Sequence, residues 1–140
     1  MQVGWVSVGS QYLGRVVGQA IRNGDMQRHI ADLRGIYKRK LDRMEDGLRR
    51  YCGPYCTWKR PAAGFFLWLE LPASLPTRDV QTAANEKGVI IGQGPQFFAD
   101  GRATNHIRLA FSYVAMEEIE EGCHRLREAM AEVAARNAAK

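Results

Sequence analysis

Arg108 is the residue of this sequence whose type and setting point most directly to chemistry. The segment His106–Phe111 alternates in polarity, as expected for a strand with one buried face. Ile107, Leu109 and Phe111 are predicted to point into a core, which places Arg108 on the opposite face. A guanidinium is a planar fork of donors that suits a carboxylate or a phosphate. On spacing alone, an arginine in this position is more typical of a solvated or salt-bridged residue.

A glycine-rich loop, Gly92–Gly101, precedes this strand. Glycine lets a backbone approach a ligand closely, so the run Gly92-Gln-Gly-Pro95 is a second feature that could serve a site. No Gly-Lys-Ser/Thr follows it, so the pattern of a phosphate-binding loop is excluded. Taken alone, such a loop is more typical of a turn.

Cysteine spacing raises the possibility of a metal site. The cysteines are Cys52, Cys56 and Cys123. The C-x3-C pair could begin a zinc site, but zinc needs about four ligands and neither His106 nor His124 repeats the pair spacing. An odd number of cysteines without a secretory leader also argues against a disulfide framework. We therefore predict no metal site, and a Gly53-Pro54 turn with the cysteines packed beside it.

Four helices are predicted from apolar periodicity. The first covers Gln11–Asn23, and the second is a long amphipathic helix that begins after Asp25 and ends before Pro54. The third runs from Thr77, as the N-cap, to about Lys87, and Gly88 ends it. The fourth follows Glu117, and its alanine-rich end, residues 131–140, is expected to fray.

Short strands are predicted between these helices. They are Thr57–Arg60, Gly64–Glu70, Val89–Ile91 and His106–Phe111, the first two forming a hairpin. Because strands and helices interleave, we predict an α/β fold of the two-layer α+β kind, with helices packed on a small antiparallel or mixed sheet of three or four strands.

Composition places the chain among ordinary globular domains. Its 140 residues are 46% hydrophobic and 25% charged, with a net charge of +5, which excludes a disordered or low-complexity chain. The longest apolar run, Ala62–Leu69, is too short to span a membrane, and no leader peptide is evident. A cytoplasmic location is the default expectation.

Several motifs together resemble one family, the class I/II aminotransferases of fold type I. Residues 60–72 resemble the hairpin P-x-G-G-(M/F)-F-x-W, and residues 88–98 resemble the loop GV-x-x-x-PG-x-x-F. Residues 105–112 resemble the strand N-x-(I/L)-R-L-(A/S/N)-(F/Y), and Glu117–Leu126 resembles the closing helix EEI-x-x-G-x-x-R-L. The closest resemblance is to the 2-aminoadipate aminotransferase-like group, which also supplies the C-terminal part of some GntR-type regulators.

The resemblance implies site residues and a cofactor. It makes Arg108 the residue that binds the substrate α-carboxylate, with Gly94, Phe97 and Gly64 in the nearby substrate and cofactor loops. It implies pyridoxal 5'-phosphate, an amino acid or 2-oxo acid substrate, and a homodimer. Two departures from the family pattern affect loop geometry, since Gln93 replaces a proline and Ala63 a glycine.

Transamination also needs a Schiff-base lysine, an acid for the pyridine nitrogen and a phosphate cradle, which in the family lie in the large domain. None of the five lysines of this chain has a Ser-x-x-Lys context. We therefore assign residues 1–24 to a helix leading from an absent large domain, 25–135 to the small domain and 136–140 to a tail. No catalytic residue is assigned, and the chain alone is predicted to be inactive.

Two other functions remain open. The chain could be the effector-sensing end of a GntR-type regulator, or a basic module that binds nucleic acid through the arginine-rich second helix. Acids interleave with those arginines, so we expect no nucleic-acid or membrane partner. The apolar stripe of the first helix is expected to cause self-association or local disorder.

Overall fold

A four-stranded antiparallel sheet with helices on one side forms the centre of the fold. The computed structural model describes residues 11–99 and 104–139. The helices are α1 (Gln11–Arg22), α2 (Asp25–Tyr51), α3 (Thr77–Glu86) and α4 (Glu118–Ala138), and a 3-10 helix covers Gly94–Phe97. The strands are β1 (Thr57–Trp58), β2 (Phe66–Glu70), β3 (Gly92–Gln93) and β4 (His106–Ala110), in the order β1-β2-β4-β3. The predicted fold class is confirmed.

Only one face of the sheet enters the core. Leu67 and Leu69 of β2 and Ile107 and Leu109 of β4 are buried, because the two strands pair in a register that aligns their apolar positions. Helix side chains cover this face, among them Leu48, Val80, Leu126 and Met130. The opposite face carries Phe66, Trp68, His106 and Arg108, all partly or largely exposed. Arg108 therefore lies on the face that the alternation predicted.

Several predicted boundaries differ from the structure. β1 ends at Trp58 and not at Arg60, and β2 begins at Phe66 and not at Gly64. The strand predicted at Val89–Ile91 lies at Gly92–Gln93 instead, and the Ile90 side chain is 92% exposed. Thr77 is the first residue of α3 and not its cap. The fraying predicted for residues 131–140 is wrong as far as Ala138, because burial of Met130 and Val133 holds α4 to its end. Within the described segments, no helix is long and apolar enough to cross a membrane.

The chain divides into two compact units after Ile36, within α2. In the first unit, α1 has no buried residue, and Leu13, Val16, Val17 and Ile21 are each about half exposed or more. The second unit, residues 37–140, contains the sheet and its core. The domain assignment with a boundary at residue 25, and the self-association expected through α1, stay predictions.

A buried carboxylate ties the hairpin to α2. Glu45 is 2% exposed, and it accepts hydrogen bonds from the Trp58 indole at 3.1 Å and from the Arg60 guanidinium. Arg60 also donates to Asp42 one turn earlier on α2, at 2.5 Å. Hydrogen bonds from Arg60 and then from Lys38 hold the pKa of Asp42 below its usual value. The carboxylates of Asp42 and Glu45 thus fix where the hairpin begins.

The lowered pKa of Asp42 predicts a small acid-linked loss of stability. A carboxyl whose pKa falls on folding stabilises the protein above its ordinary pKa, near 3.8, and this contribution is lost as pH falls through the folded value. We expect Arg60→Met to raise the pKa of Asp42 toward its usual value, with Lys38 retaining part of the shift. A carbon-detected NMR titration of Asp42 checks this, and an unchanged midpoint in Arg60→Met would contradict it.

Candidate functional site

The Arg108 guanidinium lies between two phenylalanine rings on the open face of the sheet. Its Cζ atom is 3.8 Å from the centroid of the Phe66 ring and 3.7 Å from that of Phe97. Two rings so close to one carbon avoid overlap only on opposite faces of the guanidinium plane. Within residues 11–99 and 104–139, no carboxylate is paired with Arg108, and the stacked faces leave the N–H edge of the fork for a ligand.

Strand pairing brings these three side chains together. Trp68 of β2 and Gly92 of β3 both lie opposite Arg108 in the sheet, so the strands on either side can each place a ring over it. Phe66 comes from the same face of β2 as Trp68. Phe97 is the last residue of the 3-10 helix that follows β3. Arg108 and Phe97 were predicted as site residues from the sequence, whereas Phe66 was not.

Two glycines position the Phe97 ring, one by leaving room for it and the other by close packing of its loop. A Cβ on Gly92 would lie 3.0 Å from Cε2 of that ring, so any side chain there would displace the ring. A Cβ on Gly94 would lie 2.8 Å from the backbone oxygen of His106 and 2.9 Å from Thr104 Cγ2. The predicted candidate Gly94 therefore acts through close packing of the loop on β4, and it fixes the start of the turn that carries Phe97.

Gly94→Ala is expected to lower the free energy of unfolding by about 1–3 kcal/mol, because overpacking against backbone cannot relax cheaply. Urea unfolding followed by circular dichroism measures the change. Gly122→Ala is a matched control, since its Cβ on α4 would meet nothing within 4 Å. That control should be neutral or stabilising by up to about 1 kcal/mol, and equal effects of the two variants would refute the close-packing argument.

Gln93, the residue that departs from the family loop, is held by α3. Its amide donates to the side-chain oxygen of Gln81, whose own amide donates to the backbone oxygen of Ile91 at 2.9 Å. These bonds replace the rigidity that a proline would give to this position. Gly64, the remaining candidate, lies exposed before β2 with a φ of +103°, a value that favours glycine, and it leads the chain toward Phe66.

An aromatic groove lies beside the stacked arginine. Trp68 contacts Phe97 edge to face, with ring centroids 5.6 Å apart, and the His106 ring 6.5 Å away. The groove has a volume of about 550 Å³. Its lining residues are Thr57, Trp58, Lys59, Pro61, Phe66, Trp68, Glu70 and His106. Trp68 therefore both lines the groove and supports the Phe97 ring.

Asn105 fixes where β4 begins, and it therefore fixes the position of Arg108 along the strand. Its side-chain amide donates to the backbone oxygens of Leu71, Pro72 and Leu75 at 2.9, 2.7 and 3.2 Å. Its side-chain oxygen accepts from the backbone N–H of Thr77 at 3.2 Å, at the first turn of α3. One side chain thus joins β4, the end of β2 and α3.

The three cysteines lie in the core with free thiols. Burial raises the pKa of Cys56 and of Cys123 to about 12, and burial also raises the pKa of Cys52. The Cys52 thiol lies 3.5 Å from the backbone oxygen of Cys123 and the Cys123 thiol 3.8 Å from that of Met44. In the described segments, no cluster of three or more histidine, cysteine or carboxylate groups could hold a metal ion.

We expect none of the three thiols to react with Ellman's reagent at pH 8 in the folded chain, because the thiolate is the reactive form. All three should react after denaturation in guanidinium chloride. Absorbance at 412 nm counts the released thiolate. Rapid labelling of one or more thiols in the folded chain would show that the α2–α4 contact opens readily.

The described lysines do not have the surroundings that a covalent site for pyridoxal phosphate, the cofactor implied by the sequence resemblance, would need. Lys38 pairs with Asp42 at 3.0 Å, Lys87 with Glu132 at 2.9 Å, and Lys40 donates to a backbone oxygen at 2.9 Å. Lys59 lines the groove but is exposed to solvent, whereas a Schiff-base lysine needs desolvated or cationic surroundings. Lys140 lies outside the described residues. The described lysines therefore do not provide a covalent site for pyridoxal phosphate.

Arginines of α2 are mostly neutralised by acids. Arg43 and Arg50 both bind Glu120 of α4, at 2.7 and 2.5 Å, and Arg49 binds Asp46 at 3.0 Å. This face therefore offers paired charges and not an open cationic stripe.

Comparison with known proteins gives one consistent family. The family model for aspartate amino-transferase matches residues 14–139. An uncharacterised aminotransferase of Saccharolobus solfataricus is 33% identical over 117 residues, which is 84% of this chain and 28% of that protein. An uncharacterised HTH-type transcriptional regulator of Bacillus subtilis is 28% identical over 122 residues, 87% of this chain and 25% of that protein.

A solved structure shares the fold at similar identity. It is the α-aminoadipate aminotransferase LysN of Thermus thermophilus, complexed with N-(5'-phosphopyridoxyl)-L-leucine. Its TM-score is 0.78 at 31% identity, over 86% of this chain and 31% of that chain. The chain spans less than a third of the length of each of these relatives. It belongs to the aspartate aminotransferase family, in which it corresponds to a small domain of the fold type I pyridoxal-phosphate enzymes.

Proposed function

We propose that this chain supplies the substrate-carboxylate site of a pyridoxal-phosphate-dependent amino-acid aminotransferase, and that Arg108 binds the α-carboxylate. One observation carries the proposal: the guanidinium is stacked on both faces by Phe66 and Phe97, with no carboxylate partner among the described residues. Structural arginines usually reach their charge partners within the fold. An arginine held flat and left unpaired is suited to an external anion.

The N–H edge of a stacked guanidinium favours a planar anion in its own plane. A carboxylate can accept two parallel hydrogen bonds there, which fixes the orientation of the ligand as well as its position. Arg108 would therefore hold either the amino acid or the 2-oxo acid by the group that both share. In the complete enzyme, pyridoxal phosphate supplies the electron sink for amino-group transfer.

The rest of the site belongs, on this proposal, to a large domain and to a homodimer partner. Residues 25–135 act as the small domain, 1–24 lead into it from the large domain, and the segment 136–140, predicted as a tail, begins within the last turn of α4. Because the described lysines do not fit the covalent role, the chain alone is expected to lack transaminase activity. A purified chain that converts an amino acid and 2-oxoglutarate in the presence of added cofactor would overturn this expectation.

A chimaera tests the proposal directly. Residues 25–139 replace the corresponding C-terminal part of the Thermus thermophilus α-aminoadipate aminotransferase, whose TM-score with this chain is 0.78. We expect the chimaera to transaminate and the same enzyme lacking its C-terminal part to be inactive. A folded, dimeric chimaera that binds cofactor but has no activity would contradict the proposed role of this chain.

A second candidate is the effector-sensing end of a transcription regulator, and the similarity to the Bacillus subtilis HTH-type protein favours it. In such a protein Arg108 would bind the effector's carboxylate without turnover. Sequencing the DNA upstream of the Met1 codon separates the two candidates. A continuous frame that encodes a Ser-x-x-Lys lysine but no winged helix supports the enzyme, and a winged-helix segment supports the regulator.

A further inference from the structure

We infer that Phe66 and Phe97 are positioning residues that hold the Arg108 guanidinium in one plane, so that ligand carboxylates reach only its N–H edge. The inference rests on the proposed function and assigns roles to two rings that do not themselves touch the carboxylate. The distances of 3.8 and 3.7 Å from Cζ to the two ring centroids are van der Waals contact. Neither face of the fork has room for a ligand or a water molecule.

The two rings come from different segments, and each is held in place independently. Phe66 is fixed by β2, which pairs with β4 over five residues. Phe97 is fixed by the 3-10 helix and by Trp68, which packs edge to face against it, and its ring occupies the space that a side chain on Gly92 would fill. Because the supports differ, loss of one ring should leave the other in contact with Arg108.

An arginine side chain is otherwise costly to order. Its free rotamers carry conformational entropy, which a ligand must overcome when it fixes the fork. Rings that fix the plane beforehand remove part of that cost, so they strengthen binding without contacting the ligand. A cation–π contact at a partly exposed site supports the same geometry. We therefore expect roughly a three- to tenfold weaker carboxylate affinity when either ring is lost.

Arginine side-chain NMR of the complete chain tests the inference, with 2-oxoglutarate as the probe at constant ionic strength. Ring currents should move the Arg108 Nε–Hε resonance upfield of that of Arg127, an exposed arginine of α4. Phe66→Leu and Phe97→Leu should each move it part of the way back and weaken 2-oxoglutarate binding. Tyrosine at either position should restore both the shift and the affinity.

Phe65→Leu is the matched control. Phe65 is adjacent in sequence and similarly exposed, but its ring packs against Tyr37, with centroids 5.3 Å apart, and not against Arg108. It should change neither the Arg108 resonance nor the affinity. An unchanged resonance and affinity in both Phe66→Leu and Phe97→Leu would refute the positioning role.

Arg108→Gln separates the two hypotheses. If this variant loses 2-oxoglutarate binding while the leucine variants keep it, the positioning inference fails and the proposed carboxylate role stands. If Arg108→Gln binds 2-oxoglutarate as tightly as the natural sequence, the proposed function fails, and the inference fails with it. Loss of binding in Arg108→Gln together with the graded loss in the leucine variants supports both.

Discussion

Arg108→Gln is expected to lower kcat/KM of the active chimaera by about 100-fold. Removing one partner of a hydrogen-bonded charge pair costs about 2–5 kcal/mol when the pair is desolvated, and about 1.4 kcal/mol corresponds to tenfold. The lower part of that range applies, because Arg108 is partly exposed in the isolated fold. Since the carboxylate is bound in both the ground state and the transition state, most of the loss should appear as a higher KM.

Steady-state kinetics with varied amino acid and varied 2-oxo acid measure this effect. Arg108→Lys should recover little, because an ammonium can neither stack between the two rings nor present a planar fork. Arg127→Gln, which removes the same charge from the outer surface of α4, should leave KM within about twofold. A KM that is unchanged in Arg108→Gln would remove the arginine from substrate binding.

Arg60→Met is expected to lower the free energy of unfolding by about 2–3 kcal/mol. Among the described residues, it leaves the Glu45 carboxylate, 2% exposed, with the Trp58 indole and the more distant Arg49, at 3.8 Å. Breaking a buried ion pair by removing one partner costs about 3–5 kcal/mol, because the remaining charge is uncompensated. The expected loss lies at or just below the lower end of that range, since Arg49 remains near Glu45 and the Arg60 side chain is 45% exposed.

Urea unfolding of the natural chain and of four variants, Arg60→Met among them, isolates the cause of this loss of stability. Arg78→Met on the exposed side of α3 controls for the loss of an arginine, and it should cost less than about 0.5 kcal/mol. Glu45→Gln should cost less than Arg60→Met, because the freed arginine can turn to solvent. The double variant Arg60→Met/Glu45→Leu should recover much of the stability, and a double variant no more stable than Arg60→Met alone would disprove a buried-charge penalty.

Local patterns in the sequence predicted the long helices and the longer strands of this fold. The alternation around Arg108 predicted which side chains of β4 enter the core, and the apolar spacing in α2 predicted a long helix that ends before Pro54, where the structure ends it at Tyr51. Short elements were less well predicted, since the two residues of β3 have no periodicity of their own. Their position depends on pairing with β4, which left Ile90 exposed.

The site around Arg108 shows the same difference between features that local patterns predict and features that depend on strand pairing. Arg108, Gly94 and Phe97 were predicted: strand alternation gave the face on which the arginine lies, and the family resemblance gave its proposed role and the two loop residues. Phe66 was missed, although it lies in an apolar run, because its function depends on the register of β2 against β4. Register is set by long-range pairing and by the Asn105 hydrogen bonds, which no local pattern reports.

The sequence by itself thus determined the elements, the family and the arginine that carries the proposed function. Only the tertiary structure decided that this arginine is flattened between two rings from separate segments, that Gly94 is required by contact with a neighbouring backbone, and that Glu45 is buried against Arg60. The physical reason is range: propensity and periodicity act over a few residues, whereas stacking, close backbone approach and burial of charge depend on residues that meet only after the strands have paired.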